Sequence, residues 1–259
     1  MYREHSPGAA LSRWVECCWT FESPASLDHA AMVHAVRPDG CLDIVYSPEL
    51  GLRAVGAMPV EQRFRMSAGT AVVGVRFRPG LARQFLQAPP VELTGRLAPL
   101  EQLWGRRARE LECRLSGSPS AEERARLLVS ALPATGAATG TATGAAAGAI
   151  ARAMEAMAAA HGVVDLDWAA AQAGMSARQF RRRCLEESGL TPKHLCRVLR
   201  FRRSFELAAS RKLSWAAIAA ETGYFDQAHL IRDFREFTGR TPMAVFSNTG
   251  NAGAGENWA

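Results

Sequence analysis

The chain has 259 residues, a formal net charge of +6 and a sequence pI near 9.3, which leaves room for two modest domains with a basic balance. Its start, MYREHSPGAALSRW, has no basic region followed by an apolar run, so no secretory leader is expected. The Ala/Gly-rich stretch 134–160 is too small in side chain and too interrupted to span a bilayer, so a cytoplasmic chain without membrane segments is expected.

The first ninety residues are β-rich. The runs RWVECCWTFE, MVHAVRPDGCLDIVYS, LRAVGAMP and FRMSAGTAVVGVRFRPG predict strands near 14–21, 31–36, 41–47, 52–56 and 71–77. Pro38-Asp39-Gly40 and Arg78-Pro79-Gly80 are turn signals; the first accounts for Asp39 without a ligand, although Asp39 and Cys41 could also line a pocket. Arg76 and Arg78 flank Phe77 at alternating positions and share the face opposite it, either solvated or holding an anionic effector. Trp14, Trp19, Phe21, Tyr46, Phe64 and Trp104 read as core, with an apolar ligand in a barrel interior as the alternative.

The six cysteines (17, 18, 41, 113, 184, 196) show no CxxC or Cys/His ligand spacing and read as reduced, packed thiols. Cys17 and Cys18, adjacent on a strand, should face opposite ways, which argues against a shared metal or redox site with Cys41 and His34; no metal and no cofactor are expected.

Helical periodicity follows at 81–87, 98–115 and 121–132. The last two are amphipathic and placed to pair two chains, so a homodimer lost on deleting residues 98–132 is expected. Residues 133–149, PATGAATGTATGAAAGA, read as a flexible tether that lets the modules on either side move semi-independently. Residues 249–259 read as a disordered tail.

From about 165 to 246 the chain repeats itself at an offset of about fifty residues. Gly189 and Gly239, Pro192 and Pro242, Arg182 and Arg232, Phe180 and Leu230, Cys184 and Phe234 pair across it. Each copy has an Ala-rich apolar segment, a Gly (Gly174, Gly223), a helix-capping residue (Ser176, Asp226), a longer amphipathic segment and Gly-x-Thr-Pro. Ala177, Phe180 and Cys184 recur at helical spacing in the first, Leu230, Phe234 and Phe237 in the second. This is the pattern of two helix-turn-helix units.

With those residues inward, Arg178, Arg181 and Arg182 share the outer face of the first long helix. Gln227, Ala228, Ile231, Arg232 and Arg235 share that of the second. An arginine fork can pair with guanine O6 and N7, a Gln amide can pair with adenine, and an apolar side chain can meet a thymine methyl. RQFRRR by itself is what a solvated basic face looks like; within a duplicated helix-turn-helix it reads as a DNA-facing surface. Residues 150–248 hold 15 Lys+Arg against 10 Asp+Glu, so most of the positive excess lies there.

The C-terminal segment resembles the DNA-binding domain of AraC/XylS-type transcriptional regulators. GYFDQAHLIRDFREFTGRTP matches the family's Gly-aromatic start, Arg-x-Phe-Arg core and closing Gly-x-Thr-Pro. The first copy is looser, with Cys184 where the family carries Phe, but SxxxFxRRxxxxSGLTPK survives. The resemblance implies two units joined by a central helix, here about Pro192 to Ser210, that insert their second helices into successive major grooves. Base contacts would fall to Arg178, Arg181, Arg182, Gln227, Ala228, Ile231 and Arg232. Phosphate contacts would fall to Ser176, Lys193, Arg200, Arg202, Arg203 and Arg235. The N-terminal half, with PDGC and GVRFRPG, is similar to a domain of unassigned function in one branch of that family. The resemblance implies a cupin-like domain that senses a small molecule or drives dimerisation, and RNA polymerase among the partners.

The expected architecture is therefore α+β and two-domain: 1–132 for sensing or dimerisation, the tether, 150–248 for double-stranded DNA, and the tail. Residues 150–248 are expected to suffice for duplex binding. Two other classes fit the residues less well. An enzyme fused to a regulator module needs a nucleophile and base, yet HExxH, GxSxG, a P-loop and a dinucleotide fingerprint are all missing and the six His (5, 29, 34, 161, 194, 229) are scattered. An RNA-binding adaptor needs stacking aromatics that the outer helix faces lack.

Overall fold

The computed structural model describes residues 1–24, 32–133, 144–210 and 212–247. Among the described residues eight strands form: β1 (Tyr2–His5), β2 (Val15–Glu22), β3 (Met32–Val36), β4 (Leu42–Ser47), β5 (Gly51–Val55), β6 (Gln62–Met66), β7 (Ala71–Phe77) and β8 (Leu97–Pro99). The five expected strands are present. The three additions are ones that apolar patterning hides: β1 is polar, β6 alternates exposed Arg63 and Arg65 with Phe64 and Met66, and β8 is a three-residue edge closed by a proline.

Six strands form an antiparallel sheet in the order β1-β2-β7-β4-β5-β8, while β3 and β6 pair only with each other. Among the described residues no ladder joins the two, so the N-terminal half is an open sheet with a ribbon over one face. Cys17, Trp19 and Phe21 of β2 face that ribbon and pack with Val45, Val72 and Met66. Cys18 faces the other way, into the main core, as strand alternation requires. Trp19 lies opposite Gly74 in register, and a Cβ at Gly74 would stand 2.3 Å from the indole, so only glycine lets this ring lie on the sheet.

The opposite face is covered by α1 (Arg83–Leu86), α2 (Glu101–Trp104), α3 (Arg106–Ser116) and α4 (Ala121–Ser130). The helix expected over 98–115 is broken into β8, α2 and α3, with Gly105 at φ 57° between the two helices. Leu111 and Leu115 of α3 and Ala125 and Leu128 of α4 are buried in the sheet's core. The apolar faces expected to pair two chains are thus committed to their own sheet, and deleting 98–132 would strip that sheet of its cover.

Arg76 is fully buried between Asp39 and Asp43, at 3.4 and 3.3 Å. It is neither solvated nor open to an anion, which corrects the expectation for this residue; Arg78 is exposed and donates to the Ser12 carbonyl. Asp39 also accepts from the Cys41 N–H at 2.8 Å, so the Pro-Asp-Gly turn holds both the chain and a buried charge.

The remainder is helical: α5 (Gly144–Ala159), α6 (Leu166–Gln172), α7 (Ala177–Ser188), α8 (Pro192–Ala209), α9 (Trp215–Glu221), α10 (Gln227–Thr238) and α11 (Pro242–Ser247). α5 begins inside the stretch expected as a tether, where alanine's helix propensity prevails. Residues 134–143 of that stretch and the tail 249–259 lie outside the described residues. No helix among the described residues is long and apolar enough to cross a membrane.

One apolar cluster runs from Val75 and Phe77 of the sheet through Met154 of α5 and Leu195 of α8 to Phe234 of α10. Residues of the two halves thus pack in one cluster. A fragment of 150–248 would leave Met154 and Leu195 without part of that cluster.

Candidate nucleic-acid interface

Each unit is built by the same local chemistry. In the first, the Asp165 carboxylate caps α6 by accepting from the Trp168 N–H at 2.7 Å. The chain turns at Gly174, and Ser176 caps α7 in a reciprocal box: its hydroxyl accepts from the Gln179 N–H while the Gln179 side chain accepts from the Ser176 N–H at 3.0 Å. In the second, Ser214 caps α9, the chain turns at Gly223, and Asp226 caps α10 by accepting from the His229 N–H at 2.7 Å. Both long helices end on a left-handed glycine, Gly189 at φ 78° and Gly239 at φ 71°.

A second internal symmetry escaped the sequence reading. Ser188 donates to the Cys184 carbonyl at 2.7 Å and accepts from the Leu190 N–H at 3.2 Å. Thr238, fifty positions on, donates to the Phe234 carbonyl at 2.7 Å and accepts from the Arg240 N–H at 3.2 Å. These buried hydroxyls satisfy the loose groups where each long helix ends. The signal was present, since Ser-Gly and Thr-Gly precede both Gly-x-Thr-Pro motifs.

Phe180 and Cys184 of α7 and Leu230, Phe234 and Phe237 of α10 are buried as expected, whereas Ala177 stays exposed at the first turn. Phe201 of α8 anchors the second unit, with ring centroids 4.9 Å from Phe234 and 5.0 Å from Phe237.

The outward faces are then set. Arg178, Arg181 and Arg182 are all exposed on α7; Arg182 lies 3.6 Å from Glu186 but keeps a 67% exposed side chain. On α10, Gln227, Ala228, Arg232 and Arg235 are exposed and Ile231 is half-buried. Lys193 is exposed at the start of α8. The other α8 residues differ in their surroundings. Arg200 is half-buried over the Tyr224 ring at 5.6 Å, and Arg203 pairs with Glu206 at 3.3 Å. Arg202 is turned into the N-terminal half, where it pairs with Glu16 of β2 and with Glu206. Burial alone would raise the Glu16 carboxyl, but the hydrogen bond and charge of Arg202 hold it below the usual carboxylate range.

A model for a Helix-turn-helix domain matches residues 169–248, which holds both units but the first turn of α6. The C-terminal segment is thus similar to a helix-turn-helix domain. A model for a Domain of unknown function (DUF6597) matches residues 3–99, the sheet and ribbon of the N-terminal half. Among curated proteins no sequence matches. Among solved structures, the chain is similar to ToxT from Vibrio cholerae O395, at 9% identity and a TM-score of 0.41 over 88% of this chain and 95% of that one. It is similar to the P21 form of ToxT from Vibrio cholerae at 11% identity and a TM-score of 0.38, over 88% of this chain and 93% of that one. It is similar also to unsaturated-fatty-acid-bound wild-type ToxT from Vibrio cholerae strain SCE256 at 10% identity and a TM-score of 0.39, over 92% and 93%.

The N-terminal half grips the helix-turn-helix domain at the C-terminal end of each long helix. At α7, Arg83 pairs with Glu187 at 2.7 Å and the Thr94 hydroxyl donates to the Gly189 carbonyl at 2.9 Å. At α10, the Glu61 N–H donates to the Phe237 carbonyl at 2.7 Å, and the Glu61 carboxylate meets Arg240 at 3.5 Å. The same carboxylate meets Arg37 at 3.5 Å, with both side chains almost wholly buried, and the Arg37 guanidinium lies 4.4 Å from the Phe205 ring centroid. Sequence reasoning had no route to these residues, because the contacts between the two halves join positions 95 to 179 apart.

Proposed function

We propose that this protein is a sequence-specific double-stranded DNA-binding transcriptional regulator whose two recognition helices, α7 and α10, enter successive major grooves. The observation that carries this reading is the pair of capped helices with Arg178, Arg181, Arg182 on one and Gln227, Ala228, Ile231, Arg232 on the other, joined by a single rod. α8 has 18 residues and so spans about 27 Å, the scale needed to set two helices about one duplex turn apart. The regulator acts by binding rather than by catalysis. A gel shift against duplex and single-stranded competitors tests it: binding no tighter than that of a generic basic peptide would overturn the reading.

Lys193, Ser176, Arg200, Arg203 and Arg235 are assigned to phosphates, where they position the protein without specifying sequence. Arg203→Ala should weaken all duplexes alike and lower the slope of log affinity against log salt by about one. Arg202→Ala should leave that slope nearly unchanged, because its guanidinium is engaged with Glu16; a full unit lost in this variant would return Arg202 to the phosphate set.

The N-terminal half is assigned an effector site. Between sheet and ribbon lies a cavity of about 140 Å³ lined by Trp19, Phe21, Val45, Phe64, Met66 and others. A mainly apolar cavity of that order accepts a molecule the size of a single ring, with Asp43, Glu49 and Arg65 also on its wall. His34 and Val36 of the ribbon also line it, and the next residue, Arg37, is part of the grip on Arg240, so occupancy would be felt at α10. Partners in this reading are duplex DNA, a small apolar effector, a second copy of the chain and RNA polymerase.

His34 gives this cavity a pH signature. Burial, helped by the Arg37 charge, lowers its pKa from 6.5 to about 4. The folded form favours the neutral ring, so this contribution to stability is present above pH 6.5 and is lost as pH falls toward 4. Chemical denaturation of the wild type and His34→Gln at pH 7 and pH 4.5 should differ in pH slope, the wild type losing more; identical slopes would remove His34 from this role.

A further inference from the structure

The turn of the second unit is one residue longer than that of the first. The first runs Gly174-Met175-Ser176 into its cap; the second runs Gly223-Tyr224-Phe225-Asp226. Met175 and Tyr224 do the same work, each packing inward against its unit. The extra residue, Phe225, has no such work. It is 92% exposed, the most exposed of the large apolar side chains described, in a domain whose other phenylalanines are buried or half-buried.

Its position narrows what could cover it. Phe225 immediately precedes the cap of α10, beside exposed Gln227 and Ala228, and the N-terminal residues of a recognition helix are the ones that reach base edges. Exposed Arg232 and Arg235 lie further along α10, with exposed Asp226 at its cap. A bare ring at the start of a helix assigned to a major groove needs an apolar partner there, and the apolar feature inside that groove is the thymine C5 methyl.

We propose that Phe225 is a specificity-determining residue that packs on a thymine methyl in the half-site read by α10. The proposal rests on the DNA-binding reading and adds a contact which that reading did not contain. The longer turn places the ring ahead of the helix, so the thymine lies to the side of the bases assigned to Gln227 and Ile231.

The test uses the full-length chain and a site selected by it from a randomised duplex pool. Each thymine of the α10 half-site is replaced in turn by uracil, which removes only the methyl group. Wild type should lose about fourfold in affinity at one thymine, the worth of one buried methyl group. Phe225→Ala should bind the parent site about fourfold more weakly, lose sensitivity to that one substitution, and keep its sensitivity in the α7 half-site. Ile231→Ala, run in parallel, should act on a different thymine. Because the ring is bare, Phe225→Ala should unfold at the wild-type temperature. If the variant keeps the wild-type thymine-over-uracil preference everywhere, the proposal is overturned. A variant altered only in self-association or in polymerase binding overturns it too, and assigns the ring to a protein partner. Failure of the wild type to bind any duplex sinks the DNA reading itself, a result distinct from either.

Discussion

Arg182→Ala is expected to cost roughly 1–3 kcal/mol of duplex affinity and to relax base preference in one half-site only. Arg178, Arg181 and Arg182 are exposed on one face of α7, and each fork can satisfy both major-groove acceptors of a guanine. Glu186 lies 3.6 Å from Arg182, but an exposed pair of this kind is worth well under 1 kcal/mol and yields readily to a base. Because Phe180 and Cys184 lock the buried side of α7, the loss should appear in binding and leave folding intact. Gln227→Ala should behave likewise in the other half-site, where the mixed face of α10 reads a different sequence. The two half-sites should lie 10–10.5 bp apart, about one duplex turn. Selected sites from a randomised pool decide the matter: if Arg182→Ala leaves the preferred sequence unchanged in both half-sites, that arginine contacts the backbone and the reading face is misassigned.

The helical half was legible because its signals are local. A cap, a left-handed glycine and a 3.6-residue period each act within a few positions, and the repeat printed them twice. The N-terminal strands were legible where apolar residues cluster, and lost where a strand is polar, as in β1, or ends on proline, as in β8. The fate of the arginines was not legible. Arg76, Arg182 and Arg202 look alike in sequence, yet one is buried between two aspartates, one is open on a helix face, and one is paired across the two halves. What separates them is the charge of a residue distant in the chain, which periodicity does not register. The same blindness covers the shared core, which is assembled from residues of both halves that lie far apart in the chain.

Glu61→Ala should be the most damaging single change at the junction, at about 3–5 kcal/mol. Its carboxylate has 3% of its side chain exposed and faces Arg37, which has 1%, together with Arg240. Removing it takes from Arg37 and Arg240 a buried carboxylate that both face, which costs more than the loss of a surface pair. Glu61→Gln keeps the shape but not the charge and should fall between wild type and alanine. The double variant Glu61→Ala/Arg37→Met removes both buried charges and should regain much of the loss, since an apolar pair in place of a buried ion pair is often close to neutral. Thermal unfolding measures the energy; duplexes with half-sites 9 to 13 bp apart measure the consequence. The grip at Glu187 and Gly189 survives in the variant while that at α10 is loosened, so wild type should favour one spacing and Glu61→Ala should tolerate several. An unchanged unfolding temperature would show that the Glu61 carboxylate is not what holds this junction together. An unchanged spacing preference would place control of the geometry in α8 alone.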